Sequence, residues 1–376
     1  MSNKRLFKTG LIYFLAMTVF IGIRIFYSVP NVINIPSYSS TIFIQVGAMF
    51  VIPIIFYNIF FNKSEKLSAK KLFKLKVVSI KSLPILILIP ILLFFLGLFI
   101  SAITSSILSI LGFEVDTINM SSGNSTNWLF FLQGVILISI LPGIFEEIFH
   151  RGFLLTNLSL ELGYKRAIII SSILFALIHL NISQSFHAAI IGLVLSVLVV
   201  ITSSIWAAII PHIIFNLIIF YIYFANGSDL FLGNFLNNTS AYISSLSPFL
   251  VFIYSFLGLT LISVIFTFAI TKLYKQNNFK NVVEVKEKID LILKDEGIES
   301  YENITSEQEA VIKDVLKESG VYPFSHIDEI KKPIDLIFPV TKNDKYKPKT
   351  MDMLSIYASI FLGLVITIMT FIWGII

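Results

Sequence analysis

Long apolar runs alternate with short polar breaks over most of this chain. Such runs fall at 9–27, 41–61, 83–112, 128–157, 165–181, 185–202, 204–225, 246–271 and 352–376. A helix crossing the hydrocarbon needs about 20 mostly apolar residues, so the pattern predicts nine helices. The fifth and sixth are the shortest and are separated by only a few residues. The first run follows Lys8 and continues to about Tyr27 with no small-residue cleavage site, so it reads as a retained helix rather than a signal peptide. The fold class expected is all-α: a polytopic membrane protein with an eight-helix transmembrane core over 1–271 and a C-terminal ninth helix at 351–376.

Composition agrees. Of 376 residues, 56% are hydrophobic and 14% charged, against roughly 25% charged in an average soluble domain. The lipid bilayer is therefore the expected partner and nucleic acid is not, despite a net charge of +5. With no cysteine, disulfides, a thiol nucleophile and thiolate metal sites are excluded.

The distribution of charge predicts orientation. Residues 62–81 carry Lys63, Lys66, Lys70, Lys71, Lys74, Lys76 and Lys81 against one acid, Glu65, whereas 28–40 carry no charge. With Lys4, Arg5 and Lys8 at the start and Lys165 and Arg166 after the fourth run, the positive-inside rule places the N-terminus in the cytosol. The cell membrane is the expected location. Residues 272–350 differ from the rest, holding 14 of the 28 basic and 15 of the 23 acidic residues. Helical spacing at Val282–Leu293 and Ser306–Lys317, the latter opened by a Ser306/Glu309 capping-box pattern, predicts a small cytosolic helical insert.

Eight acids lie outside that insert, and only Glu146 and Glu147 sit well inside an apolar run. A charge at bilayer depth costs at least ~2.5 kcal/mol on insertion scales, so the pair needs an explanation. Helical residues four apart share a face, which pairs Glu147 with Arg151 and Glu146 with His150. Neighbours on a helix point about 100° apart, so one carboxylate is expected to form a buried ion pair with Arg151. Glu146 is then left to face a cavity. Other polar groups in nearby runs are His179 in the fifth, His187 in the sixth, and His212 with Asn216 in the seventh. A carboxylate and imidazoles can activate water, an amide NH2 can donate to an oxyanion, and neutral imidazoles can hold a metal.

In order, Glu146-Glu147-x-x-x-Arg151, Phe175-x-x-x-His179 and His212-x-x-x-Asn216 resemble the motifs of the CPBP family of intramembrane proteases. That family is also called Abi or CAAX-protease-like. EExxxR alone is moderately specific, FxxxH and HxxxN are weak, and the ordered triple is strong. The resemblance covers 128–225 in motifs and implies the eight-helix core. It implies an endopeptidase, glutamate- or metal-dependent, acting on a hydrophobic peptide or membrane-protein substrate. Glu146 and His179 would activate water, and His212 and Asn216 would hold the oxyanion. Glu147 and Arg151 would shape the site. Alternatively, Glu146, His179 and His212 would bind a divalent metal such as zinc. The insert and the ninth helix depart from the family pattern.

Other readings compete. A bacteriocin-immunity or membrane interaction protein would act by binding, and a proton-coupled transporter would use intramembrane Glu, His and Arg as a relay. His150 and His187 read as structural groups. Trp128 and Trp206 read as interfacial anchors, and Arg24 as a snorkelling side chain. No HExxH, intramembrane GxSxG or GxGD occurs, so the glutamate–histidine set is the only visible hydrolytic equipment. At ~1.5 Å per residue, Glu146 and His212 come out about 13–17 Å from the cytosolic ends of their runs. His179 comes out nearer the outer surface.

Overall fold

A computed structural model describes residues 4–28, 38–110, 128–225, 245–247, 249–250, 253–273 and 348–373. The helices expected within the insert lie outside the described residues. Among those described, nine long helices carry the fold: α1 (Lys4–Ser28), α2 (Tyr38–Phe60), α3 (Leu83–Ile110), α4 (Trp128–Leu162), α5 (Tyr164–Leu177), α6 (Ile182–Thr202), α7 (Trp206–Ala225), α8 (Ile253–Leu273) and α9 (Thr350–Trp373). There is no strand among them, only a single antiparallel bridge between Leu75 and Ser204. The protein is thus all-α and polytopic. Eight of the nine are long and apolar enough to cross a membrane, α9 included.

The exception is α5, with 14 residues, or about 21 Å at 1.5 Å per residue. Its apolar run extends to 181, but the helix stops at Leu177 and the chain turns through Leu180 at φ 53°. The fourth run is expected to end at 157, where Thr156, Asn157, Ser159 and Glu161 dilute its apolar character. The helix instead continues to Leu162, because those polar groups have partners. Asn157 Nδ2 donates to Phe153 O at 2.8 Å, Ser159 Oγ to Thr156 O at 2.9 Å, and Arg5 reaches Asn157 Oδ1 at 2.8 Å and Glu161 at 3.4 Å. Gly163 then ends the helix at φ 78°, a conformation that carries no steric penalty without a Cβ.

Helix α4 runs through the middle of the bundle. It packs on α2 and α7 over its central turns and on α1, α5 and α6 beyond them, while α3 backs α6 and α7. It is not a uniform α-helix: Val135–Ile140 and Ile148–Leu154 are π-helical, flanking an α-helical Leu141–Glu147. Helix α2 has a π-helical stretch at Phe43–Val51 facing the same region. Such stretches shift the helical phase of the residues beyond them and are frequent at functional sites. Two glycines let α7 lie close to α4. A Cβ on Gly134 would run into the Phe220 ring, and one on Gly143 would collide with Ile213 Cγ1 and stand 3.1 Å from its backbone N.

The ninth helix lies along α1 and α5. Ser355 Oγ bonds Phe7 O at 2.8 Å, Gly10 sits against Ser355 and Ile356, and Gly363 sits against Met17 and Leu177. At the lysine-rich end, Lys8 Nζ bonds Glu65 Oε2 at 2.7 Å, Arg5 bonds the Glu65 carbonyl, and both cations lie over the Phe61 ring. The Lys8 hydrogen bond first, and the Asn62 N–H second, hold the Glu65 carboxyl below its usual range.

This packing can be tested at two places. Gly143→Val should push α7 off α4 and lower stability by about 1–3 kcal/mol, read as a drop in thermal unfolding temperature of the detergent-solubilised protein. Because the Glu65 carboxyl is depressed in the folded chain, its contribution is present above its ordinary value of 4.5 and is lost as pH falls below it. The difference in unfolding temperature between wild type and Glu65→Gln should therefore be present at pH 7 and vanish in acid.

Candidate active site

The chain positions its intramembrane polar groups by matched lengths around two turns. Glu147 lies 16 residues before Gly163 and His179 lies 16 after it, so the α4–α5 hairpin brings them to similar height. The apparent outward displacement of His179 came from ending α4 too early. On the other side, the α6–α7 turn is tucked into the bundle: Ile205 Cδ1 would lie 3.5 Å from a Cβ on Gly152. Ser204 Oγ donates to Lys76 O, and Ile205 N donates to Lys74 O at 3.0 Å, anchoring that turn on the loop after α2. Seven residues of α7 from Ile205 therefore bring His212 level with Glu147, five residues back from Gly152.

At that level Glu147 is fully buried, as is Arg151. Arg151 Nη1 donates to Glu147 Oε1 at 2.7 Å, the ion pair that the i, i+4 spacing predicted. Its other arm, Nη2, donates to Gly192 O at 3.0 Å, and its Cζ lies 4.3 Å from the centre of the Phe175 ring. Glycine at 192 makes room for this, since a Cβ there would press on Phe175 Cδ1 at 3.1 Å and Ser172 Cα at 3.2 Å. The guanidinium is thus held on three sides by α4, α5 and α6.

Glu147 also does something the spacing did not announce. His212 Nδ1 lies 2.7 Å from the same oxygen, Glu147 Oε1. A carboxylate accepts, so Nδ1 carries the hydrogen, and in the neutral ring Nε2 keeps its lone pair. That Nε2 lies 3.9 Å from Glu146 Oε2. Glu147 is therefore more than the ion-pair partner of Arg151: it sets the tautomer and ring orientation of His212, as a buried acid does for imidazole in a hydrolytic triad.

His179 is oriented by a different route. Its Nδ1 lies 2.8 Å from Phe175 O, so here too Nδ1 donates and Nε2 keeps a lone pair. Phe175 is the hub of the cluster. Its ring centre is 5.0 Å from that of His150, 5.1 Å from His179 and 6.0 Å from His212, all in edge-on contact. Asn216 follows His212 by one turn, is half-buried, and its side chain makes no hydrogen bond among the described residues.

His150, read from sequence as a structural group, meets Glu146 through the backbone and not through its carboxylate. Its Nδ1 lies 2.9 Å from Glu146 O, and its Nε2 lies 3.2 Å from Tyr13 Oη of α1. Tyr13 Oη also bonds Leu174 O at 2.9 Å and stacks on Phe149. His187 is half-buried on α6 and joins none of these bonds.

One partner of Glu146 was missed. Gln45, 5% exposed on the π-helical stretch of α2, donates from Nε2 to Glu146 Oε1 at 2.9 Å. A search of every apolar run for amides, rather than the fourth to seventh alone, would have flagged it.

The three residues considered as ligands for a divalent metal, Glu146, His179 and His212, do not gather into a metal-holding group, and no set of three His, Asp or Glu side chains does so among the described residues. Both histidines have Nδ1 committed to an acceptor and Nε2 left open, an arrangement that serves proton transfer and metal ligation alike.

Comparison with known proteins places these motifs in a matched segment. Residues 127–218 match a family model described as type II CAAX prenyl endopeptidase Rce1-like. The match spans α4 to the middle of α7 and includes all three motifs, consistent with the CPBP family. It supports a CAAX-type intramembrane protease in general terms. No curated protein and no solved structure matches the chain.

Replacing Arg151 tests the core of the site. Arg151→Leu strands the Glu147 carboxylate without its cation and should cost about 3–5 kcal/mol. Arg151→Lys should not restore stability, since a single ammonium cannot reach both Glu147 and Gly192 O. Thermal unfolding of the three proteins in the same detergent measures both.

Proposed function

We propose that this chain, with its Rce1-like segment at 127–218, is an intramembrane endopeptidase that hydrolyses a peptide bond of a hydrophobic peptide or membrane-protein substrate. The observation that carries the reading is the buried relay of Arg151, Glu147 and His212, which aims a lone pair at Nε2 towards Glu146 Oε2, 3.9 Å away.

In this mechanism a water oxygen attacks the scissile carbonyl carbon, and Glu146 accepts its proton. The electron pair of the C=O moves to oxygen, and the Asn216 NH2 is the neutral donor available to hold it. The C–N bond then breaks as the proton held by Glu146 passes to the leaving nitrogen, which releases an amine and a carboxylic acid that together ionise to ammonium and carboxylate. His179 and His212 present acceptor nitrogens, so each can share the proton in transit. His212 donates to an oxyanion only once protonated, and Glu147 is placed to support that imidazolium. The lysine-rich loop 62–81 and the basic N-terminus support a cell-membrane protein with a cytosolic N-terminus.

The experiment uses purified full-length protein in detergent and a quenched library of apolar peptides. Glu146→Gln should abolish cleavage with unfolding temperature unchanged. Glu147→Gln, which removes the acceptor that fixes the His212 tautomer, should lower kcat by roughly 10²–10⁴. Asn216→Ala should lower it by about 10²–10³. Wild-type cleavage by Glu146→Gln would overturn the assignment.

A further inference from the structure

Gln45 is an amide inside an apolar helix, and packing alone does not account for it. Its residue class is costly to bury in lipid-facing helices unless both ends of the amide are satisfied. Only one end is. Nε2 donates to Glu146 Oε1 at 2.9 Å, while Oε1 is buried and has no partner among the described residues. The assignment of the two ends follows from the partner, because a carboxylate oxygen faces the donor.

The side chain is also held in place. It projects from the π-helical Phe43–Val51 stretch of α2 onto the last turn of Leu141–Glu147, where Phe50 packs on Phe145 with ring centres 5.4 Å apart. An amide chosen to fill space would be replaced without loss by an apolar residue of equal length. An amide chosen to anchor two helices would be expected to satisfy its carbonyl on one of them. Gln45 instead spends its donor on the one carboxylate the mechanism uses, and leaves a buried acceptor beside it.

We propose that Gln45 is a positioning residue for hydrolysis: its NH2 fixes the Glu146 carboxylate, and its carbonyl accepts a hydrogen bond from the attacking water. Glu146 then takes one hydrogen of that water as its oxygen attacks. The other hydrogen stays on the new hydroxyl, still directed at Gln45 Oε1. The orientation of the nucleophile is thereby set by α2, a helix outside the three motifs and outside residues 127–218. This inference rests on the protease reading above, and the test separates the two.

The variant is Gln45→Met, which keeps length and apolar packing but removes both hydrogen-bonding atoms, with Gln45→Asn as a second form that keeps the amide but withdraws it. The first readout needs no substrate. Infrared difference spectra between wild type and Glu146→Gln isolate the Glu146 carboxyl band in the full-length protein. That band should move in Gln45→Met and Gln45→Asn, and an unmoved band overturns the proposal. The second readout is hydrolysis of the apolar peptide library. Gln45→Met should lower kcat by about 10–100-fold with KM within about twofold, since it misorients reacting groups and not the peptide. A KM-only effect overturns the positioning role while leaving the protease intact. Wild-type cleavage by Glu146→Gln would instead remove the reading on which the role rests.

Discussion

The structure around the site depends on one buried oxygen. Glu147 Oε1 accepts from Arg151 Nη1 and from His212 Nδ1, each at 2.7 Å. A carboxylate, a guanidinium and an imidazole in a low-dielectric interior are individually costly, and each is tolerable only while the others are in place. Arg151 is pinned further by Gly192 O and by the face of Phe175. One ion pair and its partners thus link α4 to α5, α6 and α7 and hold one histidine in its tautomer.

The helices that meet there are adjusted in length and phase so that they can. On α4 the α-helical segment Leu141–Glu147, set between two π-helical stretches, points its adjacent carboxylates into different neighbourhoods: Glu146 towards Gln45 of α2, Glu147 towards Arg151 and His212. The short α5 ends in the turn that carries His179, and its carbonyl at Phe175 then orients that imidazole. The deep α6–α7 turn, fixed to Lys74 and Lys76, starts α7 at the height that makes His212 meet Glu147. Three local irregularities therefore set the site, each at a place where an unbroken α-helix of spanning length would have missed.

Support also comes from outside the motif-bearing helices. Tyr13 of α1 reaches His150 and the Leu174 carbonyl, bracing α4 against α5. α9 covers α1 and touches Leu177, two residues before His179, through Gly363. Arg5 and Lys8 close the lysine-rich end by linking α1 to the loop at Glu65 and to the last turns of α4. The site is thus framed by both ends of the chain, with the amide of Gln45 completing its inner wall from α2.

The sequence by itself determined the fold class, because runs of about twenty apolar residues have one stable solution in lipid: helices with all their backbone groups bonded internally. It also singled out the candidate site residues. Charges and imidazoles in such runs are too costly to be incidental, so Glu146, Glu147, Arg151, His179 and His212 stood out, and the i, i+4 rule paired Glu147 with Arg151 correctly. What only the tertiary structure decided was which of these groups meet. Periodicity along one helix cannot show that His212, 65 residues away, shares the oxygen that Arg151 uses, nor that Gln45 meets Glu146 from a helix a hundred residues earlier. Nor could apolar run lengths show that α4 continues through Asn157 and Glu161, since the partners that make those polar residues helical lie on α1. Contacts between helices depend on phase, tilt and where each helix begins, and these are set by turns and π-helical stretches whose effects appear only when the bundle is assembled.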